Sequence, residues 1–300
     1  MPSLQARLYS TFLRLYLKRR PSTDAMANVA FARRRFDPPQ WMRVPPPRGT
    51  LVREAAWGEI VSWQNESATR AVYFLHGGGY VFGQADTYRL FTSALARRLS
   101  ARVFAMNYRL APEHPYPAAL EDAVSGYLDT LNRMQQRADQ IVLAGDSAGG
   151  GLVLALLLKL RELRVPLPAA ALALSPWVDL ACESASLTTN EATDVMFYAD
   201  TIRGCAPLYH QQHDPRDPFI SPLYGDLTGL PPLLLFASES EALRDDAVRL
   251  AERARACGVT TELHLYQDMP HVWPVFAFLP EAKQALNQIE EFMQGVWTRA

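Results

Sequence analysis

From about residue 70 onward the chain alternates between short apolar runs and longer stretches of helical periodicity. Ala71–Leu75, Arg102–Met106, Gln140–Ala144, Ala169–Leu174, Leu233–Ala237 and Thr261–Tyr266 read as strands. Between and after them, 86–100, 117–135, 148–163, 241–257 and 281–297 read as helices, with Leu152, Leu156 and Leu160 stacked on one face of the third. Residues 51–63 read as two strands turning at Trp57-Gly58. Short buried strands separated by helices require parallel pairing through right-handed crossovers. The pattern therefore predicts an α/β fold: a mostly parallel central sheet covered by helices on both faces.

Two regions break the alternation. Residues 181–225 combine polar Ser184–Asn190, then Met196–Tyr198, then a turn-rich stretch from His213 to Pro218. A long excursion between sheet strands predicts a lid or binding loop. Met196, Phe197 and Tyr198 fit either pocket lining or ordinary core. Near the start, Leu4, Leu8, Phe12 and Leu15 recur at helical spacing, interrupted by Arg7, Arg14, Lys18, Arg19 and Arg20. The basic interruptions exclude the unbroken apolar stretch of a signal peptide, and no run is long enough for a membrane span. The pattern is read as a helix packed on the domain, not as a surface-membrane or lid helix. The Val44–Gly49 segment, with three successive prolines, marks a linker after it.

Composition narrows the function classes. Hydrophobic residues make up 49% of the 300, enough for a large core. The formal net charge of −1 gives no overall electrostatic case for nucleic acid or an anionic surface. Cys182, Cys205 and Cys257 are odd in number and widely spaced. They suggest neither a disulfide framework nor a zinc site, and they fit a reducing, cytoplasmic setting.

Candidate chemistry centres on Gly145-Asp146-Ser147-Ala148-Gly149, between a strand and a helix. A sharp strand-to-helix turn lifts a serine hydroxyl clear of the backbone, and its crowding demands small residues on either side. The helix N-terminus behind it favours a developing anion. A second motif, His76-Gly77-Gly78-Gly79, follows strand Ala71–Leu75. Its glycines let backbone N–H groups approach a ligand, so the N–H groups of Gly78, Gly79 and Ala148 are assigned to an oxyanion. A phosphate loop would want a lysine next, but Tyr80-Val81-Phe82 follows. His76 is read as structural.

The chain order of such sites is serine, acid, histidine. Of the six histidines, 210, 213, 264 and 271 lie downstream of Ser147. His210 and His213 belong to the excursion and His264 to a strand. His271 lies in the loop after that strand, where such residues gather, and is the expected base. The acid should follow strand Leu233–Ala237, where Glu239, Glu241, Asp245 and Asp246 all qualify; spacing alone does not choose among them.

Taken together these motifs resemble the hormone-sensitive-lipase-like (bacterial family IV) esterases of the α/β-hydrolase fold, over roughly 70–275. The markers are His76–Gly79, Tyr108–Ala118, Gly145–Gly150, Ser175–Leu180 and Ile220–Leu223. The resemblance implies a cofactor-independent, metal-free serine carboxylesterase for short- to medium-chain acyl esters. It also implies a small helical cap, built from residues 1–48 and an insertion at about 181–215, on a catalytic domain spanning 49–300. It points to Glu241 as the acid, with Asp245 in reserve. The family's usual acid is an aspartate followed by Pro-Leu, and here Glu241 is followed by Ala242-Leu243. Tyr108–Ala118, with His114, and Asp122 are carried over as structural. The expected partner is a small-molecule ester, with no nucleic acid; a homodimer is left open. A lactone or acetyl-group hydrolase would use the same residues. Plant hormone receptors that resemble this family lack the base, so the presence of His271 speaks against a receptor.

Overall fold

A computed structural model of the chain describes residues 2–39, 42, 44–64, 68–132 and 135–298. Eight strands form one sheet: β1 (Thr50–Ala55), β2 (Gly58–Trp63), β3 (Arg70–Leu75), β4 (Ala101–Met106), β5 (Ile141–Asp146), β6 (Ala170–Leu174), β7 (Leu233–Ser238) and β8 (Thr261–Tyr266). The spatial order is β1-β2-β4-β3-β5-β6-β7-β8. The hairpin β1–β2 is antiparallel within itself and to β4, and all other neighbours run parallel. The hairpin and the mostly parallel sheet expected from the pattern are both present.

The central strands are apolar on both sides because both sides are covered. Tyr73, Leu143 and Leu235 point into one core, with helices α4 (Ala118–Asn132), α5 (Ala148–Glu162) and α8 (Arg244–Ala256). Phe74, Val142 and Phe236 point into the other, with α3 (Arg89–Leu99) and α9 (Pro280–Trp297). Helix α5 departs from its expected single apolar face. Leu152 through Leu158 are all buried, because the helix is enclosed by the sheet and neighbouring segments. The far end of the expected helix 117–135 reaches residues 133 and 134, outside the described residues.

The excursion after β6 holds α6 (Ser186–Thr189) and α7 (Ala199–His210). The N-terminal segment holds α1 (Leu4–Tyr16) and α2 (Ala25–Phe36). Helix α2 starts at Asp24, whose side chain accepts from the N–H groups of Met26 and Ala27. Its Arg33 donates to the carbonyls of Val81 and Ala111 and to Glu113, tying α2 to the segment after the glycine run.

Helix α1 packs on the domain as expected, but through a different face. Ala6 and Leu13 are its buried residues, and Ser3 bonds Glu281 of α9. The stripe of Leu4, Leu8, Phe12 and Leu15 faces outward. The physical reason lies in distant contacts: Arg14, and Lys18 just past the helix end, reach the main-chain carbonyls of residues 191–194 and set its rotation.

Candidate active site

The parallel strands β5, β6, β7 and β8 end on one edge of the sheet, and the expected site residues follow those ends. Strand β5 runs two residues beyond its expected end, to Asp146, so Ser147 stands at the junction with α5. Ser147 has φ 52° and ψ −122°, a strained conformation for a non-glycine residue. Its N–H donates to Leu174 O at 2.8 Å, and its carbonyl accepts from Trp177 N at 2.9 Å. These bonds to the end of β6 and the loop after it hold the turn in place. A Cβ on Gly149 would lie 2.1 Å from Leu75 O, and one on Gly145 would lie 2.5 Å from Gly149 O. The flanking glycines are thus required by backbone approach on both sides of the serine.

The glycine run crosses the same edge. Gly78 has φ 119°, and a Cβ there would lie 2.0 Å from Phe82 O. Among the described residues the N–H groups of Gly78, Gly79 and Ala148 donate to no protein acceptor. Asp146 fastens this loop to the serine turn: one carboxylate oxygen accepts from Gly77 N at 2.8 Å and the other from Tyr88 Oη at 3.0 Å. Burial pushes the Asp146 pKa up to about 6, against the pull of these bonds. His76 is fully buried, stacks on Tyr108 at 4.3 Å and contacts Gly77 O through Nδ1. Burial pushes its pKa down to about 4, so it is a neutral packing ring, in line with the structural reading.

His271 and Glu241 meet. Nδ1 of His271 lies 2.5 Å from Oε2 of Glu241, and both residues are buried. The other carboxylate oxygen of Glu241 accepts from Ser175 Oγ at 2.9 Å and from Ser238 N at 2.6 Å. Ser175 Oγ in turn accepts from Val272 N at 3.1 Å, so one hydroxyl braces the acid and the histidine loop together. Burial, the largest influence on His271, lowers its pKa. The hydrogen bond and charge of Glu241, with the charges of Asp194 and Asp146, outweigh it, and the net shift is upward. His271 Nε2 is buried with no hydrogen-bond partner among the described residues. The ring of Phe197 stands edge-on to His271 at 5.2 Å, which puts Phe197 of the excursion beside the site.

The four candidate carboxylates separate cleanly. Glu239 pairs with Arg244 at 2.8 Å. Asp245 accepts from Ser186 N at 2.9 Å and pairs with Arg244, away from the imidazole. Asp246 accepts from Val178 N, Asp179 N and Ser184 Oγ, and burial pushes its pKa up to about 7. Only Glu241 of these four hydrogen-bonds His271. The expected helix 241–257 begins instead at Arg244, and the turn before it aims Glu241 inward.

Three contributors escaped the sequence reading. Ser175 and Asp146 lie within the motifs Ser175–Leu180 and Gly145–Gly150, where no local pattern gives them a role. Asp194 had no local signal: its carboxylate accepts from Met196 N, Phe197 N and Ala242 N, pinning the excursion to the Glu241 turn.

Comparisons with known proteins identify the family and the fold. A family described as alpha/beta hydrolase fold matches residues 72–275. An acetyl-hydrolase of Streptomyces hygroscopicus is 42% identical over 226 residues, covering 75% of each chain. An esterase of Acinetobacter venetianus is 37% identical over 239 residues, covering 78% of each. The crystal structure of EstE5 soaked with p-nitrophenyl butyrate superposes with a TM-score of 0.90 at 33% identity, over 99% of both chains. An esterase from the bacterial hormone-sensitive lipase family gives a TM-score of 0.86 at 37% identity, again over 99% of both. The chain belongs to the alpha/beta hydrolase fold family, in its hormone-sensitive-lipase-like branch of carboxylic ester hydrolases.

Proposed function

We propose that Ser147, His271 and Glu241 are the nucleophile, base and acid of a serine esterase, with the N–H groups of Gly78, Gly79 and Ala148 as the oxyanion hole. The observation that carries this is the buried Glu241–His271 hydrogen bond, on the strand edge that also carries the strained Ser147 turn. Ser147 Oγ attacks the ester carbonyl while its proton passes to His271 Nε2. Glu241 holds Nδ1–H and stabilises the imidazolium that forms. The three N–H groups take the charge of the tetrahedral oxygen, and losing one such donor costs about 3 kcal/mol of barrier. Collapse of the intermediate breaks the ester C–O bond, and the imidazolium gives its proton to the leaving alkoxide. Water then attacks the acyl-serine, with His271 as base, and the carboxylic acid leaves.

The substrate in this reading is a small ester with a short- to medium-chain acyl group. The relative named acetyl-hydrolase favours the short end of that range. We read α1, α2 and the excursion as one cap on a catalytic domain that begins near residue 49. The bonds from Arg14 and Lys18 to residues 191–194 support that grouping. We place the enzyme in the cytoplasm, in keeping with three free thiols. The deciding experiment is Ser147→Ala with p-nitrophenyl butyrate as substrate. Turnover should fall by about 10⁴-fold or more with the melting temperature unchanged, and a fluorophosphonate probe should label the wild type alone. Wild-type turnover in the alanine variant would refute the assignment.

A further inference from the structure

Leu4, Leu8, Phe12 and Leu15 of α1 are 66, 63, 49 and 82% exposed. Phe278, in the loop that carries His271, is 57% exposed. The Tyr9 ring bridges the two, 6.1 Å from Phe12 and edge-on to Phe278 at 4.9 Å. The result is a continuous apolar strip on the outside of the molecule, and such strips mark interaction sites. The helix cannot turn the strip inward without breaking the bonds of Ser3 to Glu281 and of Arg14 and Lys18 to the 191–194 carbonyls.

Charge indicates what covers the strip. Arg7, Arg14, Arg19, Arg20 and Arg34 are all exposed in the same segment. Residues 1–48 contain ten Lys or Arg against two Asp, a net +8, while 49–300 carry −9. The near-neutral total thus conceals a strongly basic N-terminal region. An apolar helical stripe flanked by arginines suits an interfacial position in a bilayer, with the stripe among acyl chains and the cations on headgroup phosphates. A second copy of this chain offers the same apolar stripe but sets one basic face against another, which repels.

We propose that α1 and Phe278 form a docking surface for an anionic lipid bilayer, holding the enzyme at a membrane surface without spanning it. The test is co-sedimentation of the full chain with vesicles of phosphatidylglycerol and phosphatidylcholine, and with vesicles of phosphatidylcholine alone. Binding should be about tenfold or more stronger to the anionic vesicles and should weaken severalfold as salt rises from about 0.05 M to about 0.5 M. The double variant Leu8→Ser/Leu15→Ser should bind about tenfold more weakly, while its melting temperature and its turnover of p-nitrophenyl butyrate match the wild type. Three results would each overturn the proposal: no wild-type binding to anionic vesicles, equal binding to both vesicle types, or undiminished binding by the double variant. A wild-type dimer in light scattering that the double variant splits, without vesicle binding by either, would assign the strip to a second copy instead. Polyglutamate competing away the vesicles as well as free phosphatidylglycerol vesicles do, with the double variant unaffected, would assign the surface to an acidic protein.

Discussion

At the residue scale the choice of acid is the most discriminating feature. Four carboxylates follow β7 within a few positions; Glu241 is the one of them that hydrogen-bonds His271, whereas Asp245 and Asp246 serve main-chain N–H groups of the excursion and of the turn after β6, which is why the proposed triad takes Glu241 as its acid. Glu241→Gln should lower kcat by about 10³–10⁴-fold, since an amide no longer enforces the Nδ1–H tautomer. Asp245→Asn should leave kcat within about twofold and cost about 1 kcal/mol of stability through its bond to Ser186 N. Steady-state kinetics and thermal melts on both variants check this, and equal kinetic losses would refute it. The pH profile follows from the same pair. A base must be neutral to work, and the raised pKa of His271 keeps the imidazolium populated to higher pH. The acid limb of kcat/KM should therefore have its midpoint above the unperturbed histidine value of about 6.5. In Glu241→Gln the limb should move to lower pH, because burial then acts with less opposition. A midpoint below about 6 in the wild type would contradict the assignment.

At the element scale, the site depends on segments that do no chemistry themselves. The turn at Ser147 is held by the ends of β3 and β6, and the Glu241 turn is held from outside by Asp194. Asp194 is buried and satisfies three main-chain N–H groups. Asp194→Ala strands those donors and should destabilise the protein by about 2–4 kcal/mol, seen as a lower denaturant midpoint with an unchanged slope. Because Phe197 rides on the same bonds and stands against His271, kcat should also drop, by about tenfold. Loss of stability with full kcat would mean that Asp194 holds the fold alone.

At the scale of the whole molecule, the double-sided core and the outer segments carry separate burdens. Each central strand is buried on both faces, whereas α1 buries only Ala6 and Leu13. Removing residues 1–20 should leave a cooperative thermal transition within a few degrees of the full chain, since little core is lost. The excursion would lose its anchors from Arg14 and Lys18, and kcat/KM for p-nitrophenyl butyrate should fall by about tenfold through misplaced Phe197. A truncated chain that fails to fold, or one with full activity, would each contradict this division.

What could be read from the chain alone was whatever is local. Strand and helix periods, the glycine-flanked Ser147 turn and the glycine run at 77–79 each depend on neighbours within a few residues, so composition and spacing disclose them. His271 could be proposed from the chain too, because position after a strand end and order along the chain leave few rivals. The remainder was decided by contacts distant in sequence. Glu241 is distinguished by Ser175 and His271, Asp194 by a turn on another segment, and the outward rotation of α1 by carbonyls far downstream. A carboxylate looks the same in sequence whether it caps a turn or orients an imidazole, and an apolar stripe looks the same whether it faces core or bilayer. Only the folded chain decides which partner lies within hydrogen-bond reach and which face is left to the outside.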